Sequence, residues 1–275
     1  MPIQIAARRS GSQLTEARVA FRESEQVERR YHVAAIWSLV SGLCCLVLLT
    51  AQASAQSRAV VELFTSQGCS SCPPADRLVG ELAKDPSVIA LSLPIDYWDY
   101  LGWKDTLADA KFTARQRAYA RARGDREVYT PQAIVNGAVP VVGSDRPGIE
   151  RAIAETRKTV GAMSVPVSVT VSGGQLKVSV PESASTAAGE VWMCAVSRSV
   201  PISITKGENR GQQVVYHNVV RKWVKVGDFA GKAANWNVPV EAIAGNDVDA
   251  AVVYVQSGSH EKPGPMMGAA LAALN

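Results

Sequence analysis

Cys69 and Cys72 lie between a short apolar run and a pair of prolines, and this arrangement constrains the chain around them more than any other feature. Arg58–Thr65 reads RAVVELFT, rich in β-formers and closed by Ser66-Gln67-Gly68, the pattern of a buried strand. Two consecutive prolines, Pro73 and Pro74, cannot sit inside a helix but suit its first turn, where the missing N–H groups have no intrahelical partner anyway. The segment therefore predicts a strand, a short loop carrying Cys69-Ser70-Ser71-Cys72, and a helix that starts around Cys72. Ala75, Leu78, Val79 and Leu82 recur at helical spacing and form its buried face. Asp76 falls in the first turns, where the helix dipole favours a carboxylate.

The pattern continues downstream. Ser87–Pro94 reads as a second buried strand, and an aromatic segment, Asp96–Asp105, follows it. Leu107–Arg123 is a predicted helix with Leu107, Phe112, Tyr119 and Ala122 inward, Arg115, Arg117, Arg121 and Arg123 mostly outward, and Gly124 as its stop. A strand beginning at Thr130-Pro131 closes on Asn136-Gly137, a strong hairpin signal, and Ala138–Gly143 returns beside it. Ser144 or Asp145 caps a last helix with Ile149, Ala152 and Ile153 inward. From Met163 onward Val165, Val167, Val169 and Val171 alternate with polar residues, and Val191–Val196, Gln213–Val226 and Asp249–Gln256 read as further strands. The expected organisation is a leader at 1–55, an α/β domain at 56–160 whose mixed sheet is flanked by helices, and a β-rich, sandwich-like domain at 161–275.

The leader rests on an arginine-bearing polar stretch, an uncharged run from Val33 to Ala51, and Ala53-Ser54-Ala55. That order is a secretory signal, with cleavage predicted after Ala55 and a periplasmic or secreted destination; an uncleaved membrane anchor is the alternative. Cys44 and Cys45 would leave with the leader. The net charge of +4 on 275 residues and the absence of a basic stripe interleaved with aromatics argue against a nucleic-acid partner. Export permits a disulfide, and Cys69 and Cys72 are the natural pair, leaving Cys194 as a buried, inert thiol in an apolar strand.

A Cys-x-x-Cys between a strand and a helix is suited to thiol–disulfide exchange. Helix N–H groups and the dipole stabilise a thiolate there, and the two sulfurs can close on each other across one turn. Cys69, nearer the loop, is the expected attacker, and Cys72, in the first helical turn, the resolving thiol. The alternatives are a static staple and a metal site. Two thiolates are too few for structural zinc, and His217 would complete a soft-metal site only if the second domain folded over the first. Tyr97, Trp98 and Trp103 form either a wall of the reactive cleft or an aromatic minicore. Gly207–Gly211, leading to His217 and Asn218, reads as a hairpin with a polar tip.

These residues resemble the thioredoxin superfamily. Cys69-Ser-Ser-Cys72 stands at its redox position, and Thr130-Pro131 resembles the cis-proline that faces the disulfide there. More closely, VELFTSQGCSSCPPAD, DYWDYLGW, YTPQAIVNG and GENRGQQVVYHNVVR together resemble the secreted family catalogued as domain of unknown function 1223. The resemblance implies a thioredoxin-like fold, export, and Thr130, Pro131, Tyr97 and Trp98 as supports of the site. Two departures stand out. Gly68 replaces the aromatic residue usual before the first cysteine, and Leu63 holds the place of the superfamily's buried acid, with Glu62 one residue away as a speculative substitute. The expectation is an exported thiol–disulfide oxidoreductase acting on protein thiols or disulfides, with no cofactor beyond its own dithiol. A non-catalytic binding or assembly protein and a copper-handling protein are the rival readings.

Overall fold

The computed structural model describes residues 58–159, 161–183, 188–245 and 247–274. The leader, its cleavage site and Cys44 and Cys45 lie outside the described residues. Among the described residues no helix is long and apolar enough to cross a membrane.

Strand β1 (Ala59–Thr65) is buried along its whole length because it is covered on both faces and paired on both edges. It pairs in parallel with β2 (Val88–Pro94) and antiparallel with β3 (Gln132–Val135), which pairs in turn with the edge strand β4 (Val139–Val142). Strand side chains alternate between faces, and β1 splits accordingly. Ala59, Val61 and Leu63 pack with Ala75, Leu78, Val79 and Leu82 of α1 (Pro73–Leu82) and with Ile149, Ala152 and Ile153 of α3 (Arg146–Thr156). Val60 and Phe64 pack on the other face with Phe112 and Tyr119 of α2 (Ala110–Arg123). The turn between β3 and β4 covers Asn136, Gly137 and Ala138, closed by Ala138 N donating to the Val135 carbonyl at 3.0 Å, with Asn136 and Gly137 both at positive φ (49° and 69°). The helix ends follow their sequence signals. Asp109 caps α2 by accepting from Lys111 N, Asp145 caps α3 by accepting from Gly148 N, and Gly124 terminates α2 at φ 81°.

The C-terminal region contributes a small sheet, β5 (Ser168–Ser172), β6 (Gln175–Val180) and β9 (Ala234–Pro239), and four strands of the main sheet. These four are β7 (Gly189–Ser203), β8 (Gln213–Phe229), β10 (Ala250–Gly258) and β11 (Pro263–Ala273); a short helix, α4 (Val240–Ile243), follows β9. Leu176, Val178 and Val180 of the small sheet pack on Val191, Met193, Ala195, Ala251, Val253 and Val255, so two sheets sandwich an apolar layer.

The main sheet runs across the expected boundary at residues 160 and 161. Its eight strands lie in the order β11-β10-β7-β8-β2-β1-β3-β4, and β8 lies parallel to β2 with Val219 opposite Ser92. Side chains extend the join: Ser92 Oγ donates to the His217 carbonyl at 2.8 Å, and Asn218 Nδ2 donates to the Ala90 carbonyl at 2.9 Å. Phe64, Trp192, Val220 and Tyr254 share one hydrophobic cluster across that join.

The outward reading of the α2 arginines fails at one position. Arg115 is 2% exposed and reaches Glu62 through two hydrogen bonds of 2.7 and 2.9 Å.

Candidate functional site

Cys69 and Cys72 are joined by a disulfide, with their Cα atoms 5.4 Å apart. Cys72 occupies the N-cap of α1 in helical conformation (φ −79°, ψ −34°), and its carbonyl accepts from Ala75 N and Asp76 N. The turn between the cysteines is closed by Cys72 N donating to the Cys69 carbonyl at 3.1 Å. Cys69 is 4% exposed and Cys72 fully buried, so the rim of the site is formed by the exposed Ser70 and Ser71.

The Thr130-Pro131 segment meets this rim. The Thr130–Pro131 peptide is cis, and Ser71 Oγ donates to the Thr130 carbonyl at 3.5 Å. Trp98 Nε1 donates to Thr130 Oγ1 at 2.7 Å, and Tyr97 OH donates to Gln116 Oε1, whose amide nitrogen donates to the Tyr129 carbonyl. Tyr97 and Trp98 thus brace the segment around Pro131 that leads into β3. A Cβ added to Gly68 would come within 3.3 Å of Trp98 Cβ and its carbonyl oxygen, so Trp98 fills the space a side chain there would need. Tyr100 stacks on Trp98 and stands 76% exposed beside the rim.

The first turn of α1 carries a buried carboxyl that the sequence marks only as an acid favoured by the helix dipole. Asp76 sits one helical turn beyond Cys72 and is 1% exposed. Its Oδ1 accepts from Thr65 Oγ1 at 2.7 Å, while its Oδ2 has no hydrogen-bond partner among the described residues. Burial pushes its pKa up to about 7; the Thr65 hydroxyl opposes the shift, Asp105 adds to it, and Arg77 opposes it. Asp105, also buried, is raised to about 6 by burial, against the backbone N–H groups of Gln67 and Leu107. The phenol of Tyr216 is raised by burial and then by both carboxylates. A signal for Asp76 was legible in the sequence. Positions 72, 75, 76 and 79 lie on one helical stripe, so a first-turn acid between Ala75 and Val79 faces inward.

Glu62 and His217 lie elsewhere. Glu62 accepts from Arg115 and from Tyr119 OH on the α2 side of β1. The imidazole of His217 lies against Gly80, two turns along α1 from Cys72, where an added Cβ would strike the ring. No group of three or more His, Cys, Asp or Glu side chains able to hold a metal ion occurs among the described residues. Cys194 is a free, buried thiol, raised in pKa by burial.

No curated protein matches the chain. A crystal structure of a protein from Agrobacterium tumefaciens is similar to it at a TM-score of 0.73 and 32% identity, covering 81% of this chain and 97% of that one. The structure of HBP35 of Porphyromonas gingivalis is similar at a TM-score of 0.50 and 12% identity, covering 80% of this chain and 76% of that one, a likeness of fold alone. The model of a protein family of unknown function, DUF1223, matches residues 60–256, and the chain belongs to that family.

Proposed function

We propose that the chain is an exported thiol–disulfide oxidoreductase built on a thioredoxin-like domain at 56–160, with the β-rich region at 161–275 selecting its clients. The observation that carries the reading is the Cys69–Cys72 disulfide at the N-terminus of α1, with the cis Thr130–Pro131 segment hydrogen-bonded to its rim through Ser71. A thiolate at that helix end faces the positive end of the dipole; Pro73 and Pro74 bring no N–H, and those of Cys72, Ala75 and Asp76 are bonded to backbone carbonyls.

In the reducing direction, the Cys69 thiolate attacks one sulfur of a client disulfide, forms a mixed disulfide and expels a client thiolate. The Cys72 thiol gives its proton to the Asp76 carboxylate and attacks Cys69 Sγ. The Cys69–Cys72 bond forms, the mixed disulfide breaks and the second client thiolate leaves. The client gains two electrons and the pair loses them. The same steps in reverse oxidise a client dithiol. Asp76 suits the proton transfer because it lies at i+4 from Cys72, is buried with it, and holds a pKa of about 7, where it can both accept and return a proton.

One observation favours the rival reading of a thioredoxin-type scaffold used only for binding: Cys69 is 4% exposed. Alkylation and trapping separate the two. In the reduced protein near neutral pH, an alkylating agent should label Cys69 well before Cys72, and Cys194 only after unfolding. Cys72→Ser should trap mixed disulfides with clients, whereas Cys69→Ser should trap almost none. Equal slow labelling of Cys69 and Cys72, with no trapped partner in either variant, leaves the binding reading in place.

A further inference from the structure

The DYWDYLGW and GENRGQQVVYHNVVR motifs meet at the loop that carries Cys69. Gln67 is fully buried, and each of its polar groups is held by a distant segment. Its N–H donates to Asp105 Oδ2 at 2.7 Å, its Oε1 accepts from Trp103 Nε1 at 2.8 Å, and its Nε2 donates to Thr106 Oγ1 at 3.2 Å. The carbonyls of Gln67 and Cys69 lie outside any helix or strand ladder and are buried; that of Cys69 accepts from Cys72 N, and that of Gln67 needs a donor. One side chain reaches both. Asn209, 2% exposed, donates from Nδ2 to the Gln67 carbonyl at 2.9 Å and to the Cys69 carbonyl at 2.9 Å. An amide nitrogen carries two hydrogens, so both are used. The direction of the amide is set from behind, because Gln212 Nε2 donates to Asn209 Oδ1 at 3.1 Å. Gly207, at φ 75°, lets the loop lie against Trp103 Cβ at a distance that a side chain would close.

We infer that Asn209 is a positioning residue for the Cys69–Cys72 pair, acting from the C-terminal region to hold Cys69 within closing distance of Cys72 after the disulfide is reduced. The inference rests on the proposal that the pair is reversible. Cys72 is fixed by α1, whereas Cys69 lies in a loop whose backbone would otherwise gain freedom once the S–S bond opens. Pinning the carbonyls at 67 and 69 limits that freedom. One sulfur then remains at high effective concentration to the other, which favours the closed disulfide. Without the clamp the pair is easier to reduce.

The test is the equilibrium of the full chain with reduced and oxidised glutathione. Two glutathione thiols convert the Cys69–Cys72 disulfide to a dithiol and leave as one glutathione disulfide. Asn209→Ala should lower the equilibrium constant for closing the pair about tenfold, which corresponds to a rise of about 30 mV in potential. Asn209→Asp should lower it at least as far, because a carboxylate offers those carbonyls no hydrogen. Gln212→Ala leaves Asn209 present but unoriented, and should lower the constant about two- to threefold. Asn136→Ala is the structural control. Asn136 is also buried, accepting from Val60 N and donating to Thr156 Oγ1 away from the pair. Its loss should lower the urea midpoint and leave the equilibrium unchanged. Asn209 variants equal to the wild type, or a shift matched by Asn136→Ala, would overturn the inference. If neither Asn209 variant folds, Gln212→Ala decides by the same criterion. A pair that shifts as described but serves no client keeps the clamp and removes the enzyme; a working enzyme with an unmoved equilibrium removes only the clamp.

Discussion

Two carboxyls are buried on opposite sides of the main sheet, and the protein treats them differently. Glu62, on the α2 side of β1, accepts two hydrogen bonds from Arg115 and one from Tyr119 OH. Arg115 in turn donates to Tyr119 OH and Gln256 Oε1, and its guanidinium carbon lies 4.8 Å from the Tyr119 and Trp223 ring centres and 5.4 Å from that of Tyr254. Among the described residues Asp76, on the α1 side, has a single hydroxyl partner and an oxygen with none. A buried carboxylate with a bidentate cation can stay charged, whereas one without a cation is held neutral over a wider pH range. Glu62 therefore belongs to the tie between β1, α2 and the C-terminal strands, while Asp76 remains free to gain or lose a proton beside Cys72.

The largest effect should come from breaking the paired side. Arg115→Ala leaves Glu62 buried without its cation, strips the three rings of their contact, and should cost about 5 kcal/mol in urea denaturation. Its effect should fall on stability rather than on the reactivity of Cys69 toward an alkylating agent. A loss below about 1 kcal/mol would show the tie to be dispensable.

The unpaired side should respond with the opposite sign. The folded-state pKa of Asp76 lies above the ordinary carboxyl value of 3.8, at about 7, so the native state binds more protons through that window and stability falls as pH rises through it. Asp76→Asn removes the buried charge. It should stabilise the protein by about 4 kcal/mol at pH 8, with the gain shrinking on acidification and absent below about pH 4. The same variant should slow release of client from the mixed disulfide. If Asp76 were paired as Glu62 is, Asp76→Asn would destabilise at pH 8; thermal midpoints at pH 4 and pH 8 separate the two cases.

What the sequence made legible was mainly local. The strand before Cys69, the helix opened by Pro73-Pro74, the Asn136-Gly137 turn and the stop at Gly124 each carry their signal within a few residues, and each appears in the structure. The missed features depend on residues far apart. Arg115 sits in a run of four arginines, and nothing local marks it as the one whose partner lies on β1. Strand β11, PGPMMGAALAA, lacks β-branched and aromatic residues and forms because β10 offers it a ladder. The continuity of the main sheet depends on β8 reaching β2, a pairing between segments more than a hundred residues apart that leaves no periodic trace. Asn209 reads as one polar residue at a hairpin tip because its two acceptors are the backbone carbonyls of another motif.

The smallest expected effect lies where a polar contact is only partly buried. Trp98 Nε1 donates to Thr130 Oγ1 at 2.7 Å, and its ring is stacked on the exposed Tyr100. Trp98→Phe removes the donor and keeps an aromatic ring on the Gly68 backbone. Water can reach this half-buried site and replace the lost bond, so no group is stranded as Glu62 would be without Arg115. The expected cost is about 1 kcal/mol in the urea midpoint, the usual net worth of one neutral hydrogen bond. The consequence for the site should exceed that small figure. Thr130 precedes the cis Pro131 and its carbonyl receives Ser71, so loosening its hydroxyl should raise the alkylation rate of reduced Cys69 several-fold by opening the rim. A stability loss near 3 kcal/mol with an unchanged alkylation rate would instead make Trp98 part of an aromatic minicore, and the contrast between closed structural burial and an adjustable reactive rim would then stop at Asp76.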